Sequence, residues 1–285
     1  MRPDLSHSLN AARSFLFVPG NRPDRYAKAL DSGADAVVLD LEDAVPPAEK
    51  HAARAAIATA WPRLRSAGIP VLVRLNPPGL PAGGEDLDWL AGLDDPPAGL
   101  MIPKAESRAD LAAVHAARPD AVLLPLIESA AGYDALADIA GTPGVGRLAL
   151  GHIDFMADTG IQCAEDEHEL APLRFALTIA SRRHHLAPPV DSVTLALKDD
   201  DRLHRDTLRS LRFGFGAKLC IHPRQVPVIH RAMHPRPDEI AWARRVLDAD
   251  AGSGGQAVQL DGRMIDRPVV LRARRLLARV RSEGR

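Results

Sequence analysis

The stretch Val122-Leu-Leu-Pro-Leu-Ile-Glu128-Ser129 is a short apolar run that ends in a carboxylate, and Leu148-Ala-Leu-Gly-His-Ile-Asp154 repeats this pattern about a strand and a helix later. A buried strand in a helix-covered sheet can present its last side chain in a cleft at the sheet edge. Two such strand ends would place Glu128 and Asp154 side by side as oxygen ligands for a divalent cation. For either residue alone, capping of the next helix or exposure to solvent is an equally open interpretation.

Six other apolar runs of strand length alternate with stretches of helical character. The eight predicted strands begin at Phe15, Ala36, Val71, Gly99, Val122, Arg147, Pro189 and Ala217. Strands that are apolar throughout and alternate with helices indicate a parallel sheet covered by helices. Eight such units predict a closed (β/α)8 TIM barrel. No G-x-G-x-x-G motif follows the first strand, which disfavours a dinucleotide-binding fold.

The domain organisation predicted from this pattern has two parts. Residues 1–235 form the catalytic barrel, and residues 236–285 form a C-terminal helix, a glycine-rich loop at 251–256 and a basic terminal helix. Glycine and serine make that loop flexible by composition. Because the barrel is already complete, this helical tail is expected to act as a lid or to reach a neighbouring subunit.

Composition excludes several other classes of protein. The 36 basic and 37 acidic residues give a formal net charge of -1, so the charge balance does not indicate binding to nucleic acid or to an acidic membrane surface. No apolar stretch approaches the roughly 18 residues of a membrane span, and the N-terminus lacks a signal-peptide core. Two cysteines, Cys163 and Cys220, cannot form a disulfide framework. We therefore expect a soluble, cytoplasmic protein.

The predicted strand ends deliver mostly acidic side chains to the carboxyl end of the barrel, where active sites of this fold lie. The residues delivered are Asp40, Glu42, Asp43, Arg74, Lys104, Glu128, Asp154 and His222. A site with only oxygen ligands selects Mg²⁺ or Mn²⁺ over zinc. Mg²⁺ keeps several waters, so two direct ligands suffice, and Glu42 and Asp43 are expected to hold metal-bound waters.

The basic residues at these strand ends each have two interpretations. Arg74 has the geometry to bind a substrate carboxylate in bidentate fashion, or it forms a salt bridge with Asp40 or Glu42. Lys104 either contacts substrate or forms an ion pair across the barrel mouth. His222 and His152 are interpreted as hydrogen-bonded structural residues rather than as general bases.

Several motifs, in this order and spacing, resemble one known family. They are Arg13-Ser-Phe-Leu-Phe-Val-Pro-Gly20, Val38-Leu-Asp-Leu-Glu-Asp-Ala-Val45, Val73-Arg-Leu-Asn76, Pro125-Leu-Ile-Glu128, Ile221-His-Pro-Arg-Gln225 and Gly262-Arg-Met-Ile-Asp-Arg-Pro268. The chain resembles the citrate lyase beta-subunit-like (CitE-like) branch of the HpcH/HpaI aldolase superfamily. Many members have Gly-Ala-Glu-Asp where this chain has Gly151-His-Ile-Asp154, so Ile153 replaces an acid beside the predicted metal ligand.

The resemblance implies a Mg²⁺-dependent TIM barrel that is commonly a homotrimer or hexamer. It implies that Glu128 and Asp154 are the metal ligands and that Arg74 binds the carboxylate of an oxo acid. It further implies that Asp266 is the acid/base, supplied by an adjacent subunit in the malyl-CoA and citramalyl-CoA lyase relatives.

The expected activity is cleavage or formation of a C–C bond in a 3-hydroxyacyl-CoA such as malyl-CoA, citramalyl-CoA or a citryl thioester, giving an acyl-CoA and an oxo acid. The alternatives are a thioesterase or malate synthase-like activity, a CoA-independent class II aldolase, and a beta subunit active only within a citrate lyase complex. For the CoA moiety, Arg13, Arg22 and Arg25 near the first strand are the candidates.

Overall fold

Eight parallel strands form a closed barrel in a computed structural model that describes residues 5–252 and 257–281. Consecutive strands pair with one another, and β8 pairs with β1 to close the sheet. The predicted (β/α)8 barrel is confirmed. The strands are β1 (Ser14–Pro19), β2 (Ala36–Asp40), β3 (Val71–Arg74), β4 (Gly99–Ile102), β5 (Val122–Ile127), β6 (Arg147–Leu150), β7 (Ala187–Asp191) and β8 (Ala217–Cys220).

Helices follow the strands around the outside of the barrel. They are α1 (Leu5–Ala11), α2 (Tyr26–Leu30), α3 (Lys50–Leu64), α4 (Pro81–Ala91), α5 (Arg108–Ala117), α6 (Ala130–Asp134), α7 (Leu136–Ala140), α8 (His152–Thr159), α9 (Ala171–Arg183), α10 (Asp200–Arg212) and α11 (Gln225–Met233). Short 3-10 turns at Pro23–Arg25 and Pro47–Glu49 precede α2 and α3. Proline has no N–H to donate and a fixed φ, which suits these first positions. The helices α1, α8 and α11 were not predicted from the sequence.

The inward-facing side chains of the strands fill the barrel. Ala36 and Val38 of β2, Leu72 of β3, and Leu124 and Leu126 of β5 belong to one buried core cluster. Side chains alternate between the two faces of a strand, so the next inward positions are Asp40, Arg74 and Glu128. Strand pairing sets Asp40 opposite Arg74. The same alternation that builds the core therefore carries these three charged groups to the inside of the barrel's carboxyl end.

The opposite end of the barrel is closed by α1. Leu9 is fully buried within the core cluster, where its side chain lies against Gly99. Arg147, at the start of β6, donates hydrogen bonds to the carbonyl oxygens of Leu9 and Ala12 at 3.2 and 2.7 Å. Burial lowers the pKa of Arg147 to about 9. A buried guanidinium needs such acceptors, and the carbonyl groups at the end of α1 supply them.

The chain divides into two compact units, 1–229 and 230–285. In the second unit α12 (Pro237–Gly252) and α13 (Arg267–Arg281) pack through a core that includes Ala243, Val246 and Ala273. Between them lies an antiparallel hairpin of β9 (Val258–Leu260) and β10 (Arg263–Ile265). The turn is Asp261-Gly262, with φ of 52° and 74°, which is the left-handed pair that a tight hairpin turn requires.

Most of the predicted glycine-rich loop, residues 253–256, lies outside the described residues. Within the described residues, no helix has the length and apolar character needed to cross a membrane.

Candidate active site

Glu128, directly after β5, is the most deeply buried carboxylate of the predicted metal site, with 3% of its surface exposed. Its Oε1 accepts a 2.8 Å hydrogen bond from the backbone N–H of Lys104. Lys104 has a φ of 44°, an uncommon left-handed conformation for a side chain other than glycine. Such conformations cost about 1–3 kcal/mol and cluster at functional sites. Here the strained backbone places an N–H against the buried carboxylate.

Gly151 allows the Glu128 side chain to lie against the end of β6. A Cβ at position 151 would lie 2.7 Å from the Cβ of Glu128 and would overlap its Oε2. Only glycine leaves this space, so Gly151 fixes where the carboxylate can lie. This role of Gly151 was not predicted from the sequence, because the contact joins residues that follow different strands.

Three carboxylates surround the Lys104 side chain. Its Nζ is 3.2 Å from Glu42 Oε1 and 3.7 Å from Asp154 Oδ1, while its own N–H binds Glu128. Burial, together with the nearby charge of Glu42, raises the pKa of Glu128 to about 8. Burial also raises the pKa of Glu42. The negative charge collected here is thus only partly compensated by the protein's own cations.

Arg74 forms ion pairs with the acidic residues at the end of β2. Its Nε and Nη2 donate to the two oxygens of Asp40 at 2.7 and 2.6 Å, and its Nη1 is 2.8 Å from Glu42 Oε2. Its guanidinium also lies over the ring of Phe17, 4.8 Å from the centroid. Burial alone would lower the pKa of Arg74, but Asp40 and Glu42 raise it above its usual value. The salt-bridge interpretation of Arg74 is what the structure shows, because Asp40 pairs with one edge of the guanidinium and Glu42 lies next to Nη1.

Asp154 lies in the first turn of α8, four residues after β6 ends, rather than at the strand end itself. Its side chain is 39% exposed. The first residue of α8 is held by Ser192 after β7: the Ser192 hydroxyl accepts from the backbone N–H of His152 at 3.2 Å and forms a short hydrogen bond with the His152 ring. His152 is thus structural, as predicted. The side chain of Asp43 is more exposed than that of Glu42, and it lies 3.9 Å from Arg74.

The donor set of this cluster fits a hard cation. Among residues 5–252 and 257–281, no three His, Cys, Asp or Glu side chains are gathered as a ready metal cage. Two carboxylates, with the other positions left to water and substrate, are what Mg²⁺ typically takes from a protein. Glu42 Oε2 is buried and, although close to Arg74, has no hydrogen bond within the described chain. This acceptor fits the predicted role of Glu42 beside a metal-bound water.

A cleft of about 950 Å³ opens beside Arg74 at the same end of the barrel. Its lining includes Phe17 and Asp40 together with Arg25, Lys28 and His222. Of the residues suggested for CoA, Arg25 borders this cleft. Arg13 does not, because it precedes β1 at the opposite end of the barrel and pairs with Asp35 at 3.0 Å. Lys28 also borders the cleft and was not among the residues suggested for CoA.

Asp266 lies in the second unit, immediately after β10. The residue is exposed, and its Oδ1 accepts a 3.4 Å hydrogen bond from the backbone N–H of Val269 in the first turn of α13. In this unit Asp266 therefore caps a helix.

Comparison with known proteins agrees with this fold. The family model described as HpcH/HpaI aldolase/citrate lyase matches residues 13–223. A citrate lyase subunit beta-like protein of Mycobacterium tuberculosis is 35% identical over 94% of this chain and 96% of its own length. A (3S)-malyl-CoA thioesterase of Cereibacter sphaeroides is 31% identical over 98% of both chains. The crystal structure of M. tuberculosis CitE in complex with magnesium, acetoacetate and coenzyme A superposes with a TM-score of 0.82 at 33% identity, covering 95% of this chain and 98% of that one.

The parallel (β/α)8 barrel together with this family match defines an aldolase-type barrel. The chain belongs to the HpcH/HpaI aldolase/citrate lyase family of enzymes. The resemblance inferred from the sequence motifs is confirmed.

Proposed function

We propose that the chain is a Mg²⁺-dependent lyase that cleaves a 3-hydroxyacyl-CoA into an acyl-CoA and an oxo acid, or catalyses the reverse condensation. The observation that carries this proposal is the cluster around Lys104, where buried Glu128 and Glu42 and partly exposed Asp154 lie at one barrel mouth with Arg74. The cluster has only oxygen donors and an excess of negative charge, which favours Mg²⁺ or Mn²⁺. The magnesium, acetoacetate and coenzyme A bound by the M. tuberculosis CitE structure support the same ligands here.

In this proposal Glu128 and Asp154 hold the metal, and Glu42 and Asp43 hold its waters. When bound, Mg²⁺ supplies Lewis-acid polarisation of the substrate oxygens. Lys104 now occupies the space among these carboxylates, and its long side chain, 42% exposed, can turn outward to solvent.

Arg74 would orient the carboxylate of the oxo acid. Asp40 fixes the guanidinium through two hydrogen bonds, so Nη1 has one orientation; it now lies 2.8 Å from Glu42 Oε2 and would exchange this partner for the substrate carboxylate. Holding the carboxylate next to the reacting carbon aligns the bond that breaks, and this alignment is worth much of the rate acceleration.

Cleavage breaks the C2–C3 bond of the acyl chain. The 3-hydroxyl gives its proton to solvent water as C3 becomes the carbonyl carbon of the oxo acid, and the bonding pair of the C2–C3 bond stays on C2 as the enolate of the thioester. A proton must then reach C2, and in the condensation direction it must leave the same carbon. We assign this transfer to Asp266, whose carboxylate is exposed on the second unit, in the homotrimer or hexamer expected for the family.

The direct test is to incubate the chain with acetyl-CoA and either glyoxylate or pyruvate, with and without Mg²⁺, and to detect the C–C product by mass spectrometry. We expect product only with the metal. Asp266→Asn should abolish turnover and leave Mg²⁺ binding intact. The matched control is Asp261→Asn, another exposed aspartate of the same hairpin segment, which pairs with Arg245 at 2.6 Å and should retain activity. Full activity in Asp266→Asn would remove the assignment.

A second candidate is thioester hydrolysis, which the identity to the (3S)-malyl-CoA thioesterase favours. The same site would bind malyl-CoA, and water would release malate and free CoA. Release of free thiol from malyl-CoA without glyoxylate distinguishes this activity from the lyase. Product formed by the isolated chain would argue against a subunit active only within a citrate lyase complex. A requirement for CoA would argue against the free-acid aldolase.

A further inference from the structure

A second cavity, of about 630 Å³, opens beside α8. Four residues of α8 form one wall, namely His152, Ile153, Met156 and Ala157. Val193 and Leu195, in the segment after β7, also line it. Leu195 is 61% exposed, and exposed apolar surface of this kind is often part of a binding site. The volume is within the range of roughly 300–1,000 Å³ typical of small-molecule sites.

This cavity adjoins the candidate active site. Val193 and Leu195 line both the cavity and the cleft that holds Arg74. On α8, Ile153 is the residue immediately before Asp154, so the proposed metal ligand and the cavity wall share one helical turn. A group attached to a substrate bound at Asp154 and Arg74 could therefore extend into the cavity.

The ionised side chains that line this cavity already have partners. Glu167 pairs with Arg174 through a short contact, with Arg209 at 2.8 Å and with Arg202 at 3.6 Å. Arg202 also donates to Asp206 at 3.0 Å.

Three further polar side chains of the lining, Thr194, Asp206 and Asp199, are also hydrogen-bonded. Asp206 accepts the Thr194 hydroxyl at 2.8 Å, and Asp199 caps α10 through the N–H of Arg202. The His152 ring is hydrogen-bonded to the Ser192 hydroxyl. The cavity thus offers apolar walls and no unpaired charge among these residues.

We propose that this cavity binds an alkyl substituent of the substrate, and that the chain prefers reactants with an alkyl chain longer than a methyl group. This inference rests on the proposed lyase function and names its substrate class. The pantetheine arm of CoA is a poorer occupant, because its two amides need several hydrogen-bond partners and would meet Gln162 beside the apolar side chains of Ile153, Met156 and Leu195. The alkyl chain could belong to the acyl thioester or to the oxo acid, and the experiment separates the two.

The test measures dissociation constants by calorimetry in the presence of Mg²⁺ for two series. One runs from acetyl-CoA through butanoyl-CoA to hexanoyl-CoA, and the other runs from glyoxylate through 2-oxobutanoate to 2-oxohexanoate. Burial of the chain should tighten binding by about fourfold for each added methylene in one of the series. Filling the cavity with Met156→Trp should abolish that increment while leaving the shortest member's affinity unchanged. Ala113→Trp, on the exposed face of α5, is the matched control and should keep the increment.

A second measurement uses the parent protein alone. In methyl-labelled protein the Met156 methyl resonance, identified from Met156→Leu, should shift with the longer ligands and not with the shortest. A constant affinity along both series, or an unmoved Met156 resonance, overturns the inference. Condensation of acetyl-CoA with glyoxylate without any chain-length gain would leave the proposed function standing and remove only this inference. A chain-length gain in binding without any C–C product would leave this inference standing and remove the proposed function.

Discussion

Replacement of Glu128 by glutamine should stabilise the metal-free protein at alkaline pH. Glutamine has the same shape as glutamate and keeps an oxygen to accept the Lys104 N–H, but it brings no charge into the buried site. Burial and the charge of Glu42 raise the pKa of Glu128 from 4.5 to about 8 in the folded protein. The ionised carboxylate is therefore much less favourable in the folded chain than in the unfolded one.

The sign and size of the effect follow from the raised pKa of Glu128. Because the pKa is raised on folding, its contribution to stability is fully present below pH 4.5 and is lost as the pH rises through about 8. A pKa difference of one between the folded and unfolded chains corresponds to about 1.4 kcal/mol, so the parent should lose up to about 5 kcal/mol relative to Glu128→Gln over this pH interval. Mg²⁺ should reduce this difference, since a ligand at 100 times its Kd adds about 2.7 kcal/mol to the protein that binds it and Glu128→Gln lacks the carboxylate that binds the metal.

The assay is urea denaturation at pH 6 and pH 9, each with chelator and with excess Mg²⁺. The control is Glu85→Gln, an exposed glutamate that pairs with Arg54 and whose loss should change stability by about 1 kcal/mol or less at either pH. The reasoning is refuted if chelated Glu128→Gln is no more stable than the parent at pH 9. It is equally refuted if Mg²⁺ stabilises both proteins alike.

Two further changes test the geometry of the site. Arg74→Lys loses the paired hydrogen bonds to Asp40 and leaves a buried carboxylate poorly compensated, so urea denaturation should show a loss of about 3–5 kcal/mol; a loss below about 1 kcal/mol would contradict a buried pair. Gly151→Ala forces a Cβ into the Glu128 carboxylate and should weaken Mg²⁺ binding by about tenfold or more in a calorimetric titration, as a misplaced ligand typically does. Gly84→Ala, where a Cβ meets nothing within 4 Å, should bind Mg²⁺ like the parent.

The barrel was predictable because its strands are buried on both faces and read as separate apolar runs. Each predicted strand is present, and the alternation of side chains explains why Asp40, Arg74 and Glu128 reach one mouth. The helix α8 was missed because it is short, follows Gly151 and has no side-chain cap at its start. Asp154 was consequently expected at the end of a strand and lies on a helix instead.

Other features of the site depend on contacts that no local pattern encodes. Nothing in the residue type of Lys104 indicates a φ of 44°, since that conformation is imposed by the surrounding structure. The sequence likewise left open whether Arg74 binds a substrate carboxylate or the carboxylate of Asp40, because a guanidinium can pair with either one. The roles of Glu128, Asp154, Glu42, Asp43 and Asp266 in catalysis stay predictions for the experiments above.

The closure of one barrel end by α1 and Arg147 has a kinetic consequence. Ligands must then enter past the loops at the other end of the barrel, so both reactants use the same opening. In the proposed lyase reaction, a small acid held beside Arg74 would be covered by a bulkier thioester that enters from the same side. Binding and release should then be ordered: the small acid binds before the thioester and is released after it.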